Sequence, residues 1–181
     1  MFIIKKSTRQ IMSKKIKIIS KSSLQTQEIG KIIARALSKK SFFKKALVVG
    51  LKGELGGGKT TFIQGFAKGL DVKEKILSPT FVIMKNFSIQ TGKFRKLYHF
   101  DVYRISKISE LKLLEFKNVL SNPKNIVLIE WVDLIKKAVP KRSITFTFSF
   151  IDENTRKIVI EIPNDIFNQL KMLKLDTYGR E

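Results

Sequence analysis

Hydrophobic residues near the start of the chain follow two different periods. Between Ser22 and Leu37 apolar residues recur at helical spacing, and Ser22 or Ser23 can cap the helix that this spacing predicts. Residues 46–51 (ALVVGL) form a short apolar run, which is typical of a strand buried on both faces. A glycine-rich stretch follows, and residues 59–69 return to a helical pattern that ends near Gly69. The chain is therefore predicted to pass from helix to strand, glycine loop and helix.

Strands dominate the prediction for the remainder of the chain. The predicted elements are strands over 80–87, 96–105, 125–131, 143–150 and 156–162, with a short helix over 108–116. The first two strands would be joined as a hairpin through Thr91-Gly92, and the last two would form a second hairpin. Strict alternation in the strand 143–150 predicts one apolar face, made of Ile144, Phe146, Phe148 and Phe150.

Length and composition narrow the class of protein. A chain of 181 residues with 43% hydrophobic residues suits one globular domain with a proper core. Cysteine is absent, which excludes disulfides and thiolate metal sites. No apolar run approaches the roughly 18 residues needed to span a bilayer. We expect a cytoplasmic protein without membrane association.

The net charge of +21 leaves two interpretations open. Lysines are spread along the whole length, as the composition of an A- and T-rich genome would produce, but a basic face that attracts RNA would give the same count. Basic residues and no acid precede Glu28. We therefore predict a basic N-terminal tail over 1–21, which is disordered or not translated, a domain over 22–165, and a helix or tail over 166–181.

The glycine run satisfies the pattern G-x-x-x-x-G-K-[ST] through Gly53, Gly58, Lys59 and Thr60. Glycines let the backbone curl so that several N–H groups point into one concavity and meet phosphate oxygens. The helix that follows adds its positive N-terminal end. Lys59 would reach the β and γ phosphates, and the Thr60 hydroxyl would ligate Mg²⁺. The sequence thus predicts a nucleotide-binding loop.

Two acids are candidates for the same site. Glu130 ends the buried strand 125–131, where P-loop folds carry an acid that binds Mg²⁺ directly or through water. In YHFDVYR a period of two puts His99 and Asp101 on one face. Asp101 would bind Mg²⁺ through water or orient an attacking water, whereas for His99 a structural and a functional role stay open. The chain has no N-K-x-D or D-x-x-G motif, which argues against a Ras-like GTPase.

Four segments together resemble one known family. GELGGGKTTFIQGFAKGL, SPTF, YHFDVYR and IEW, in this order and spacing, resemble the bacterial TsaE family, also called YjeE. Members of that family are small P-loop ATPases needed to make threonylcarbamoyladenosine beside the anticodon of tRNAs. The resemblance covers about residues 22–162, nearly the whole domain.

The resemblance implies a P-loop NTPase-like α/β fold of three layers, with a mixed central sheet flanked by helices, and so makes 22–165 a P-loop ATPase domain. It implies hydrolysis of ATP with Mg²⁺, action on the transferase TsaD and its companion TsaB, and contact with tRNA through that complex. Lys59 and Asp101 are the implied catalytic residues, and Thr60 and Glu130 the implied metal ligands. The implied nucleotide contacts are Ser23, Gly56, Gly57, Gly58, Lys59, Thr60, Thr61, Asp133 and Arg156.

The chain departs from the family pattern after Trp131, and two other functions stay open. Val132 stands where the family commonly has proline, which weakens the assignment of Asp133, and residues 78–80 match a switch-type segment. A small-molecule P-loop kinase would also use the loop and the acids, but no arginine-rich lid is evident. A non-catalytic RNA-binding module would use the charge of +21 and would leave the Mg²⁺ constellation unexplained.

Overall fold

The computed structural model describes residues 12–39, 43–79, 82–90 and 92–169. The elements in these ranges are β1 (Ser13–Ser20), α1 (Ser23–Ser38), β2 (Leu47–Lys52), α2 (Lys59–Gly69), β3 (Met84–Ser88), β4 (Lys96–Asp101), α3 (Phe116–Ser121), β5 (Asn125–Glu130), β6 (Ile144–Phe150), β7 (Arg156–Pro163) and α4 (Asn164–Gln169). Two short 3₁₀ helices cover Ile108–Lys112 and Val132–Ala138. None of the helices in this part of the chain is long and apolar enough to cross a membrane.

The strands form one sheet in the order β1-β7-β6-β2-β5-β4-β3. Its middle is parallel, because β2 pairs with β5 and β6, and β4 pairs with β5, all in the same direction. Both edges are antiparallel, through β3 with β4 on one side and β7 with β6 and β1 on the other. The predicted mixed central sheet is confirmed.

Helices cover the two faces of the sheet unequally. On one face α1 and α2 pack over the larger core, which takes side chains from β1, β2, β4, β5, β6 and β7. On the other face α3 and the two 3₁₀ helices cover a smaller core built on β2, β4 and β5. The alternation of β2 and β5 fits this arrangement, since successive residues point to opposite buried faces. The predicted three-layer α/β fold is confirmed.

Helix α1 begins as its sequence predicts and packs closely on α2. The Ser22 side chain accepts a hydrogen bond of 3.1 Å from the Gln25 N–H and so caps the helix. Glycines let the two helix backbones approach, because a Cβ on Gly65 would lie 1.9 Å from the Gln27 carbonyl oxygen and one on Gly30 would lie 2.4 Å from that of Phe62. The contact fixes α2, and with it the glycine loop, against the sheet.

The N-terminal prediction differs from the structure. Residues 13–20, assigned to a basic tail, form β1, an edge strand whose register pairs Ile16 with Ile160 and Ile18 with Ile158. The alternation of lysine and isoleucine in this segment lets one face join the core while the lysines stay in water, and edge strands commonly carry such lysines. Residues 1–11 and 170–181, with the rest of the two predicted tails, lie outside the described residues.

Smaller differences concern element ends. The helix predicted over 108–116 is a 3₁₀ helix over Ile108–Lys112, and a separate helix α3 follows. The first hairpin is shorter than predicted, since β3 begins at Met84 and β4 ends at Asp101, and Thr91 in its connection lies outside the described residues. Phe150 keeps the alternation of β6 but is 46% exposed, because the strand ends there beside the glycine loop.

We expect Gly65→Ala to destabilise the fold despite the higher helix propensity of alanine. The added methyl group would meet backbone atoms of α1 that cannot move independently, and such overpacking costs about 1–3 kcal/mol. Thermal or denaturant unfolding measures the free energy of unfolding. Arg35→Ala, at an exposed position of α1, is the control and should change it by less than about 0.5 kcal/mol. Equal stability of the Gly65→Ala variant and the wild type would contradict the packing described here.

Candidate phosphate-binding site

The glycine loop connects β2 to α2 at the carboxyl edge of the parallel strands. Gly53 has φ 129°, and a Cβ there would lie 2.4 Å from the Phe148 carbonyl oxygen, so only glycine fits. Gly58 has φ 97° and precedes α2 without any side-chain cap. The N-cap residue therefore offers the first N–H groups of α2 no side-chain acceptor, and such a helix N-terminus is suited to bind an anion.

The loop forms one wall of a pocket of about 370 Å³. The residues that line it are Leu55, Gly56, Gly57, Gly58, Lys59, Thr60, Thr61, Ser78, Asp101, Tyr103, Glu130 and Trp131. The structure thus brings together the predicted loop and both predicted acids. The two acids meet because the sheet register pairs Asp101, at the end of β4, with Glu130, at the end of β5.

Lys59 is buried and points back into its own loop. Its Nζ donates hydrogen bonds to the carbonyl oxygens of Gly53 at 2.8 Å and Glu54 at 2.7 Å. The ammonium also lies 3.9 Å from the centroid of the Trp131 ring, a cation–π contact. Burial lowers the pKa of Lys59, while the negative charges of nearby carboxylates, chiefly Glu130, oppose that shift. A phosphate in the pocket would replace the loop carbonyls as the partner of this ammonium.

The Glu130 carboxylate receives two hydrogen bonds on one oxygen. Thr60 Oγ1 donates to Oε1 at 2.8 Å, and His99 Nε2 lies 2.9 Å from the same atom. Because a carboxylate only accepts, Nε2 carries the hydrogen. His99 is 0% exposed, and its Nδ1 has no hydrogen-bond partner in the described part of the chain. The only histidine of the chain therefore holds the acid of β5 from the neighbouring strand β4.

The oxygens at this point suit a small hard cation. Mg²⁺ prefers oxygen ligands and is commonly held by one or two protein oxygens together with substrate phosphates and water. The Thr60 hydroxyl and the Glu130 carboxylate, which touch one another, form such a pair. No group of three or more His, Cys, Asp or Glu side chains that could hold a metal occurs among the described residues. A metal here would depend on phosphate oxygens as well.

Asp101 is buried beside this pair and is held by the segment after α2. Its Oδ2 accepts a hydrogen bond of 2.7 Å from the Ser78 hydroxyl, and the Tyr103 N–H lies 3.5 Å from Oδ1. Ser78 belongs to the predicted switch-type segment, of which Thr80 lies outside the described residues. The carboxylate is thus fixed at the pocket wall through a residue that sequence alone could not pair with it.

Two of the predicted nucleotide contacts meet in a second, smaller pocket that shares residues of the loop. Ser23 and Arg156 line it together with Gly56, Gly58 and Thr61, in a volume of about 110 Å³. The Arg156 guanidinium stacks 4.2 Å from the Phe150 ring centroid, and its Nε is buried without a partner in the described part of the chain. A polar ligand that extends from the loop would find an arginine donor here.

Asp133 and Trp131 differ from their sequence-based predictions. Asp133 is exposed in the 3₁₀ helix after β5 and does not line either pocket, although its charge acts on Lys59. Trp131, not predicted as a site residue, has φ 60° and covers Lys59. In the sequence, its position directly after Glu130, the acid that ends β5, is the feature that could have indicated this role.

Comparison with known proteins gives consistent matches over most of the chain. The family model described as threonylcarbamoyl adenosine biosynthesis protein TsaE matches residues 20–158. The tRNA threonylcarbamoyladenosine biosynthesis protein TsaE of Bacillus subtilis is 33% identical over 147 residues, which cover 81% of this chain and 85% of that protein. The protein of the same name from Rickettsia prowazekii is 33% identical over 150 residues, covering 82% and 96%.

A solved structure agrees with these matches. The crystal structure of Bacillus subtilis YdiB superposes with a TM-score of 0.67 at 28% identity, covering 90% of this chain and 95% of that one. The family model spans the glycine loop, Asp101 and Glu130, which line the pocket, and His99, which contacts Glu130. On these grounds the chain belongs to the TsaE family.

Proposed function

We propose that this protein is a Mg²⁺-dependent ATPase that serves the formation of threonylcarbamoyladenosine in tRNAs, together with the TsaD–TsaB pair. The observation that carries the ATPase part is the contact between Thr60 and Glu130 at 2.8 Å, in the pocket that Lys59 also lines. The tRNA part rests on membership of a family whose relatives are named for this modification.

Phosphate binding would fall to the loop and to Lys59. The backbone N–H groups of the loop and the N-terminus of α2 would bind phosphate oxygens, and the ammonium would neutralise charge that they meet only partly. Ser23 and Arg156, in the second pocket, would bind the part of the nucleotide that extends beyond the phosphates. The remaining loop contacts are assigned to Gly56, Gly57, Gly58, Thr60 and Thr61.

Thr60 and Glu130 would hold Mg²⁺, with His99 fixing the orientation of the Glu130 carboxylate. The metal, when bound, would supply positive charge to the transferring phosphoryl group. Asp101 would orient the attacking water, because its carboxylate is buried at the pocket wall and held there by Ser78. Phosphoryl transfer needs positioning and charge stabilisation more than covalent chemistry, and these residues offer both.

A partner would complete the site. Stabilising the transition-state charge commonly requires an arginine, which another protein often supplies. Arg104 packs against the ring of Tyr103, 5.0 Å from its centroid, and is not one of the residues that line the phosphate pocket. The TsaD–TsaB pair is the partner that the family resemblance implies, and tRNA would join through that complex.

The direct test is ATP hydrolysis measured with the protein alone, with the TsaD–TsaB pair, and with the pair and tRNA. We expect slow hydrolysis alone and a rate at least about ten-fold higher with the pair, because a group supplied in trans can raise such rates by up to about 10³–10⁵. Lys59→Ala should abolish the activity in all three. Fast hydrolysis that the pair leaves unchanged would contradict the partner role, and phosphate appearing on a small acceptor would instead indicate a kinase.

Asp101→Asn should separate turnover from binding. The amide keeps the shape of the carboxylate but neither accepts as strongly nor carries its charge, so we expect hydrolysis to fall by about 100-fold. Affinity for a non-hydrolysable ATP analogue should change by less than about three-fold, since Asp101 is assigned to water rather than to nucleotide. Glu74→Gln, at an exposed position that lines neither of the two pockets, is the charge-matched control and should leave turnover unchanged. A large loss of affinity with normal turnover would reverse the assignment of Asp101.

His99→Ala should raise the Mg²⁺ concentration needed for half-maximal binding of the analogue by about ten-fold, because residues that orient a metal ligand commonly contribute this much. His99→Gln can restore an N–H donor and should recover part of the loss. Thr60→Ala and Glu130→Ala serve as references in which the proposed ligands themselves are lost. A lower melting temperature of the His99→Ala variant, with unchanged Mg²⁺ dependence, would make His99 a purely structural residue.

A further inference from the structure

The described residues leave one side of the sheet uncovered at its β1 edge. The smaller core contains residues of β2, β4 and β5 and none from β6, β7 or β1 in the described chain. Cross-strand register shows which residues share the open side, since directly paired residues point the same way. They form three rows: Lys15, Glu161 and Thr145; Lys17, Val159, Thr147 and Lys52; Ile19, Lys157 and Ser149. We call these rows the open face.

Lysines from the 3₁₀ helix after β5 border the open face. A cleft of about 430 Å³ lies at one end of it. Its polar lining is Ser13, Lys52, Lys136, Lys137, Lys141, Ser143, Thr145 and Glu161. The cleft and the open face therefore form a continuous surface of lysines and hydroxyl groups.

Most of this charge is not neutralised by ion pairs with the described residues. Among the described residues, the ion pair on the open face joins Lys15 to Glu161 at 3.1 Å. Lys17, Lys52 and Lys157 form no ion pair with any described residue, and the same holds for Lys136 and Lys141 in the cleft. Lysines that are spread along the sequence are thus brought together on this side of the fold, where one carboxylate, that of Glu161, opposes them.

The other side chains of the surface indicate what kind of polyanion it suits. The three rows contain no aromatic residue on which an unstacked base could stack. None of the exposed large apolar side chains of the described chain belongs to the rows, so nothing there would anchor in a bilayer. Lysine ammonium and serine or threonine hydroxyl groups are among the usual donors to phosphate oxygens of a nucleic-acid backbone.

We propose that the open face and its cleft bind the phosphate backbone of structured RNA. The choice of RNA among polyanions rests on the proposed function, in which the protein serves tRNA modification. Part of this surface lies outside the family match, which begins at residue 20, because β1 contributes Lys15 and Lys17. Binding would be strongly salt-dependent and would depend little on base sequence, since only backbone groups are contacted.

The test compares two triple variants of the full chain that lose the same charge. In the face variant, Lys17, Lys136 and Lys157 are replaced by glutamine. In the control variant, Lys85, Lys93 and Lys124 are replaced by glutamine; these residues are exposed and lie on β3 or close to the starts of β4 and β5. Affinity for a fluorescently labelled tRNA transcript is measured by anisotropy between about 50 and 200 mM salt.

The face variant should bind the transcript at least about ten-fold more weakly than the control variant at the low end of this range. Its plot of log affinity against log salt should be shallower than that of the wild type by about two to three units of slope, one for each lost phosphate contact. The control variant should keep the wild-type slope. Equal losses of affinity in the two variants would mean that the overall charge of the protein attracts the RNA, and would overturn the proposal. No loss of affinity in either variant would overturn it as well.

Two further arms separate this inference from its alternatives. Lys59→Ala should bind the transcript like the wild type, so that failure of the ATPase proposal would leave RNA binding standing. The face variant should bind phosphatidylglycerol–phosphatidylcholine vesicles and the TsaD–TsaB pair as the wild type does. If the variant instead loses either of these interactions while its affinity for the transcript is unchanged, the surface serves a membrane or a protein and the proposal fails.

Discussion

The shared oxygen of Glu130 is the contact on which the rest of the site depends. Thr60 reaches it from the helix after the glycine loop, and His99 reaches it from the neighbouring strand. Three separate segments thereby fix one carboxylate at the edge of the sheet. A buried carboxylate is costly unless such donors satisfy it, and these are the donors that also align it with the loop.

The unequal cover of the sheet divides the molecule into two regions with different chemistry. Where helices cover both faces, the parallel strands end together and bring Asp101, Glu130 and Lys59 to one pocket. Where the described residues leave one face open, antiparallel strands present lysines and hydroxyl groups. Lys52 belongs to the open face and directly precedes Gly53, so the two regions meet at the start of the loop.

Sequence patterns predicted those parts of the fold that depend on residues close together in the chain. Ser22 caps α1, α2 follows the glycine loop, and Glu130 ends a strand buried on both faces, each as its neighbourhood in sequence indicates. The contact between His99 and Glu130 depended on the register of β4 against β5, which no local pattern specifies. The alternation of lysine and isoleucine does indicate a strand at β1, but the high charge of the segment favoured the prediction of a tail.

The fluorescence of Trp131 offers the most direct test of the central claim, that Lys59, Thr60 and Glu130 form a centre for a nucleotide with Mg²⁺. Trp131 is the only tryptophan of the chain, and its ring lies 3.9 Å from the Lys59 ammonium. When phosphates bind the Lys59 ammonium, its cation–π contact with Trp131 must change. Titration with Mg²⁺ and a non-hydrolysable ATP analogue should therefore give a saturable change in emission, absent from Lys59→Ala. No saturable change in the wild type, or an equal change in both proteins, would contradict the account.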